Sequence, residues 1–205
     1  NTCYVDYAGL IGGLDVETDE ALRIRLQERT ANFTAPFTAA GLPVFIKQAV
    51  AGITRIWVET ATPTAGSVTI YFTRDNDLNI IPTATQANIV KNAIIDATTG
   101  IKPANTADSG VIVSPPFAVS VDFTFTTLTP NTTDMQTAIT NTLTDYFKSD
   151  SVNIATDITA NEYNALLFSV IDSDGNSPTF TLLNPVGTVS VVTGELAILG
   201  TITYP

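Results

Sequence analysis

The chain reads as an α+β fold: two small subdomains, each a mostly antiparallel sheet packed with helices. Three features of its 205 residues point there. Residues 117–125 alternate apolar and polar with period two, the signature of a strand with one buried face. Four stretches instead keep helical spacing, each with a recognisable start signal. Between these patterns, residues 101–116 form an extended stretch bounded by Pro103 and by Pro115-Pro116, which suits a boundary. The expected organisation is a lead-in segment at 1–17, a first α+β subdomain at 18–113 and a second at 114–205. A chain of this length buries roughly 70% of its unfolded surface, so a core forms without staples.

The elements follow in order. The lead-in has strand character around Tyr4 to Tyr7. The acidic cluster Asp15, Glu17, Asp19 and Glu20 leads into a helix over 18–31, where the helix N-terminus carries partial positive charge. The helix continues into Arg23, Arg25 and Arg29 toward the opposite end. Asp19 and Arg23 are four apart and share a face. Residues 32–37 are a loop. Pro43 suits a first helical position, so a short helix spans 42–51 and stops at Gly52. Strands at 53–60 and 67–74 are joined by a hairpin loop containing Pro63 and Gly66. Arg74 to Asp77 is a polar turn. Thr83 with Gln86 forms a capping box, Ile89, Val90, Ala93, Ile94 and Ala97 keep helical spacing, and Gly100 is the stop.

In the second half, Phe117, Val119, Val121, Phe123 and Phe125 define the apolar face of the period-two strand. Met135, Ala138, Ile139, Thr142, Leu143, Tyr146 and Phe147 follow helical spacing. Thr159 with Glu162 makes a second capping box, ahead of a stripe of Tyr163, Leu166, Leu167, Val170 and Ile171. Strands are expected at 179–183, 187–192 and 197–204. The layout helix, helix, strand, strand thus stands at 18–74 and again at 133–192. Either a duplicated unit or the common covering of one sheet face by two helices explains it.

Composition narrows the function. Charged residues make up 14% of the chain, well below the ~25% of ordinary soluble domains, while threonine is very frequent. A hydroxyl-rich, charge-poor surface suits contact with other proteins; equally, threonine can stand in for Lys and Glu on an ordinary surface. The net charge is −11, and no Lys or Arg follows Lys148. Nucleic acid requires clustered cations, and so do anionic membranes, so neither is expected as a partner. Cys3 has no internal disulfide partner, which agrees with folding in a reducing cytoplasm. No run approaches 18 apolar residues, and no secretory signal is visible. Because the chain starts at Asn1 rather than Met, a region upstream is expected.

The stretch Gly12 to Thr30, GGLDVETDEALRIRLQERT, is more specific than its charges, which alone describe a solvated helix. Gly12, Gly13, Asp15, Asp19, Glu20, Leu22, Arg23 and Arg25 stand in the order of the opening motif of the baseplate J-like family of contractile-tailed bacteriophages, which this chain resembles. Three later stretches are similar to that family and in its order. They are Gly52-Ile-Thr-Arg-Ile-Trp-Val58 with Gly66-Ser-Val-Thr-Ile-Tyr-Phe72, Lys102-Pro-Ala-Asn-Thr-Ala107 leading through Val111 to Pro116, and Gly194-Glu-Leu-Ala-Ile-Leu-Gly200. The resemblance implies a structural wedge protein, missing its family's N-terminal region, that assembles as a ring around the tail hub in the virion. The resemblance also implies assembly in the host cytoplasm. Its implied partners are other copies and other wedge and hub proteins, and the ring widens when the tail contracts. A helix at 133–147 rich in threonine departs from the family.

Reactive chemistry is thinly represented. There is no histidine, hence no His-based nucleophile arrangement and no His-based zinc or iron site. Asp172 with Asp174, Asp75 with Asp77, and Glu17 with Asp19 or Glu20 are the acid pairs available for hydrolysis. All lie in turns or at a helix start, where backbone reasons account for them. Asp172-Ser-Asp-Gly-Asn176 begins like a calcium loop, but its twelfth position is Leu183 rather than Glu. No phosphate-binding glycine loop is present. The expectation is therefore no catalytic residue, no cofactor and no metal. Interface anchors are expected at Phe33 and Phe37, in their Thr, Asn and Pro-flanked loop, and at Arg23 and Arg25; Trp57 is expected in the core. The alternative function is an extracellular adhesin or pilus-type binding module, which would be mainly β.

Overall fold

The computed structural model describes Asp19, Arg23 and residues 37–205. Asp19 and Arg23 are both helical and exposed; the rest of the helix expected at 18–31 lies outside the described residues. Among the described residues the architecture is α+β, with two three-stranded sheets and two separate apolar cores. Each sheet combines one antiparallel and one parallel pairing.

The first sheet has the order β1 (Ile56–Thr60), β2 (Val68–Phe72), β3 (Val111–Val113). The β1–β2 hairpin is antiparallel, pairing Ile56 with Phe72 and Thr60 with Val68. Its loop turns through Ala61 at φ 59° and Gly66 at φ 85°. Ser67 fastens it by donating from Oγ to the Thr64 carbonyl (2.6 Å). β3 lies parallel to β2, pairing Val68 with Val111. The extended stretch at 101–116, expected as a boundary, therefore contains a strand of the first sheet. Lys102 organises its approach, with Nζ 2.6 Å from the Thr106 carbonyl and 3.2 Å from Asp108.

Helices α1 (Gly41–Ala49) and α2 (Ala84–Ile95) cover this sheet. Leu42 and Ile46 from α1 meet Val90 and Ile94 from α2 over Ile70, Phe72 and Val111. Pro43 sits in the first turn of α1 but at its third position, because Thr38 supplies the start: its Oγ1 accepts from Gly41 N (3.0 Å). The helix ends at Ala49, before Gly52. The Thr83–Gln86 capping box opens α2 as expected. Its stop differs. The helix ends at Ile95 because the Asp96 carboxylate accepts from the backbone of Thr98 and Thr99 (2.8 and 2.7 Å), so Ala97 lies beyond it. Gly100 closes that turn instead, donating to the Asp96 carbonyl.

The second sheet has β4 (Phe117–Thr129) at its centre, antiparallel to β5 (Thr179–Asn184) and parallel to β6 (Glu195–Thr203). Val121, Phe123 and Phe125 are buried, as the alternation requires. Phe117 is not: it is 73% exposed, because the helical cover does not reach the start of β4. A register irregularity near Thr126 then shifts the phase and buries Leu128.

Helix α3 (Thr133–Lys148) presents Met135, Ile139, Leu143 and Phe147, one residue per turn on a single stripe. Its threonines are accommodated by back-bonding. The hydroxyls of Thr137, Thr140 and Thr144 donate to carbonyls four residues earlier at 2.7–2.8 Å. Helix α4 (Ala160–Phe168) opens with the Thr159–Glu162 capping box and buries Tyr163 and Leu167. Phe123 stands edge-on to both Phe147 and Tyr163, with centroids 6.2 and 6.0 Å away. Val170 is buried just past the helix, but Ile171 points outward, 62% exposed.

The strand expected at 187–192 is absent. The Tyr163 hydroxyl donates toward the Pro185 and Gly187 carbonyls, and Gly187 adopts φ 75°, which turns the chain away from β5. The segment pairs with the α3–α4 connection instead, through an Ile158–Val189 bridge and a bond from Val191 N to Asp157. The helix, helix, strand, strand layout expected at 133–192 is consequently not formed.

Candidate functional site

Of the expected interface residues, Phe33 and Arg25 lie outside the described residues. Arg23 is exposed on its helix. Phe37 is half-buried: its ring packs against the first core. It also lines a shallow depression of about 300 Å³ with Thr38, Leu42, Ala61, Ser67 and Thr106. That depression holds no carboxylate and no cation, so it offers shape rather than chemistry.

The acid pairs Asp172 with Asp174 and Asp75 with Asp77 are engaged by the fold, while Glu17 and Glu20 of the third set lie outside the described residues. Asp172 Oδ1 accepts from the backbone of Asn176 (2.8 Å) and Asp174 (3.0 Å), and Oδ2 accepts from the Asn176 side chain. The Asn176 backbone bond, with the other donors, holds its carboxyl below the usual range against the effect of burial. This is an Asx-type turn, and a lowered pKa is the opposite of what a general acid needs. Asp77 pairs with Arg74. Asp75 is buried, not turn-exposed as the sequence suggested, and it faces Arg55.

That buried cluster has no counterpart among the sequence expectations. Arg55 Nε and Nη2 fork onto the Asp75 carboxylate at 2.9 and 2.8 Å. Thr54 and Thr73 hydroxyls add bonds of 2.6 and 3.2 Å to the same carboxylate. Burial alone would raise the Asp75 pKa; the Arg55, Thr54 and Thr73 contacts outweigh it and leave it lowered. No periodicity marks Arg55, because it lies one residue before β1; a cation beside Thr54 is the single local sign. Trp57 behaves as expected of a core residue, except that it packs against the second core from a strand of the first sheet. Its Nε1 donates to Asn153 Oδ1 (3.0 Å).

Among the described residues, no buried side-chain polar atom lacks a partner, and no three His, Cys, Asp or Glu side chains are grouped to hold a metal. No helix there is long and apolar enough to cross a membrane. What the fold does leave open is surface. Helices cover one face of the second sheet. On the other, Thr124, Thr127 and Thr129 of β4 stand beside Thr203 of β6 and Thr179 and Thr181 of β5. Asp122 is the charged side chain of β4, and its carboxylate accepts from Thr201 N (2.8 Å). Phe117, Phe168, Ile171, Leu183 and Val186 add exposed apolar area in this half. Residues 114–205 hold nine acids and one base, Lys148.

No protein-family model matches the sequence. A curated relative does: "Putative protein JayE" of Escherichia coli (strain K12) is 30% identical over 196 residues, which cover 95% of this chain and 69% of the relative. Identity at that level, carried through both sheets, makes this chain a member of the same family as JayE.

Proposed function

We propose that the chain is a structural subunit of a contractile phage-tail baseplate, a wedge protein that forms a ring around the tail hub through protein–protein interfaces. It works in the virion with other copies of itself and with other wedge and hub proteins. It is not an enzyme, and it binds neither nucleic acid nor membrane. The observation that carries this reading is where the family-like segments fall. Gly52–Val58 and Gly66–Phe72 supply β1 and β2, the 102–116 stretch supplies β3 and the entry to β4, and Gly194–Gly200 opens β6. The resemblance thus lies in the two-sheet scaffold and the surfaces it presents, not around a cavity. An open threonine face and exposed aromatics suit large complementary contacts and rigid-body rearrangement. The helices among the described residues disfavour the adhesin alternative, which calls for a mainly β module.

The test is to delete the coding sequence in its parent genome and image the particles. Tails without an end-plate, restored by complementation, are expected. Normal tails, or failure of a specific antibody to label the tail end of wild-type particles, would reject the reading.

A further inference from the structure

We infer that Arg55 is a latch that locks the two halves of the molecule into one body, with residues 149–153 as its keeper. Arg55 is 6% exposed and belongs to the first half by its backbone: Thr73 N donates to its carbonyl (3.0 Å), extending the β1–β2 pairing. Two guanidinium nitrogens grip Asp75 of the same half. The third, Nη1, crosses to the second half, donating to the carbonyls of Ser149 (3.0 Å) and Val152 (3.1 Å). Ser149 is the C-cap of α3, where the helix carries partial negative charge, so a cation is favoured there. The Trp57 ring lies 5.3 Å from the guanidinium carbon, and its indole N–H reaches Asn153.

The geometry makes this joint close to all-or-none. A planar guanidinium satisfies both carboxylate oxygens and both carbonyls in one orientation only. Shifting the 149–153 loop strands two carbonyls and a buried cationic N–H together, which a greasy contact would not do. Buried ion pairs seldom stabilise more than apolar groups of the same shape, so what this one adds is a fixed angle between the halves. Force applied to one half then passes to the other without slack. The inference stands on these contacts and holds whatever assembly the chain joins.

The test uses the whole chain in a Cys3→Ser background, spin-labelled through cysteines at the exposed positions Ala65 and Ser177. The distance distribution is measured by pulsed electron resonance, and unfolding by calorimetry. The parent should give a single narrow distribution and one transition. In Arg55→Met/Asp75→Leu, which removes both charges, a second, longer population and a second transition are expected. Arg55→Lys keeps a cation but cannot meet all four acceptors, so it should broaden the distribution even if the double variant fails to fold. A narrow distribution in folded Arg55→Lys would overturn the assignment. So would a Trp57→Phe control that opens the joint as far, since the indole would then be the latch.

Discussion

Phe117 and Phe123 share a strand and, by alternation, a face, yet one is 73% exposed and the other fully buried. Truncating Phe123 to alanine removes a ring packed edge-on against Phe147 and Tyr163. Buried Phe→Ala changes cost about 3–5 kcal/mol through lost transfer energy and the cavity left behind. Because two aromatic partners are lost together, with ~0.5–1.5 kcal/mol at stake in each pair, the upper half of that range applies, about 4 kcal/mol. For a chain of this size that corresponds to a fall in Tm of about 8–16 °C. Phe117→Ala, in contrast, should stay within about 0.5 kcal/mol of the parent. Urea titrations followed by far-UV circular dichroism and by the fluorescence of Trp57 measure both. A loss below about 1.5 kcal/mol for Phe123→Ala, or equal losses for the two variants, would refute the placement of the second core under mid-β4.

Other outcomes are equally specific. Thr159→Ala removes the hydroxyl that accepts from Glu162 N and should cost about 1 kcal/mol in the same titration, with Thr159→Ser close to neutral. Gly100→Ala would set a Cβ 2.5 Å from the carbonyl oxygens of Ile94 and Asp96; backbone there cannot yield, so a loss of about 1–3 kcal/mol is expected by calorimetry. Asp75 titrates lower in the folded chain than in the unfolded one, where ~3.9 is normal. The stability it contributes is therefore present above that value and lost as pH falls through the folded one. Acid unfolding of Asp75→Asn should accordingly show a shallower dependence on pH below about 4 than the parent.

Much of this fold was legible because its elements announce themselves locally. Thr83 with Gln86 and Thr159 with Glu162 specify helix starts by side-chain geometry alone, and both capping boxes form. Pro63 and Gly66 mark a hairpin that closes between them. Several misreadings arose where tertiary partners outvoted local pattern. Val189 and Val191 have strand character, but the Tyr163 hydroxyl holds the preceding turn, and β6 takes the place beside β4. Residues 111–113 were hidden among prolines because a three-residue strand has too few positions to show a period. Arg55 and Asp75 were illegible as a pair, since they come together across a hairpin and act on a loop far along the chain. Surface contacts are the least legible of all: exposure of Phe168 or Ile171 follows from where α4 ends, which sequence spacing places only to within a few residues.

The parallel pairing of β4 with β6 also dictates when the second half can be finished. During synthesis β4 leaves the ribosome early, but the neighbour that completes its sheet is translated only after α3, α4 and β5. Until then one flank of a thirteen-residue strand carrying four buried aromatic or branched side chains stays uncovered in the nascent protein. Non-local closure of this kind is slow, and an open flank invites pairing with other nascent chains. Premature termination anywhere before Glu195 should thus yield insoluble product rather than a smaller soluble piece.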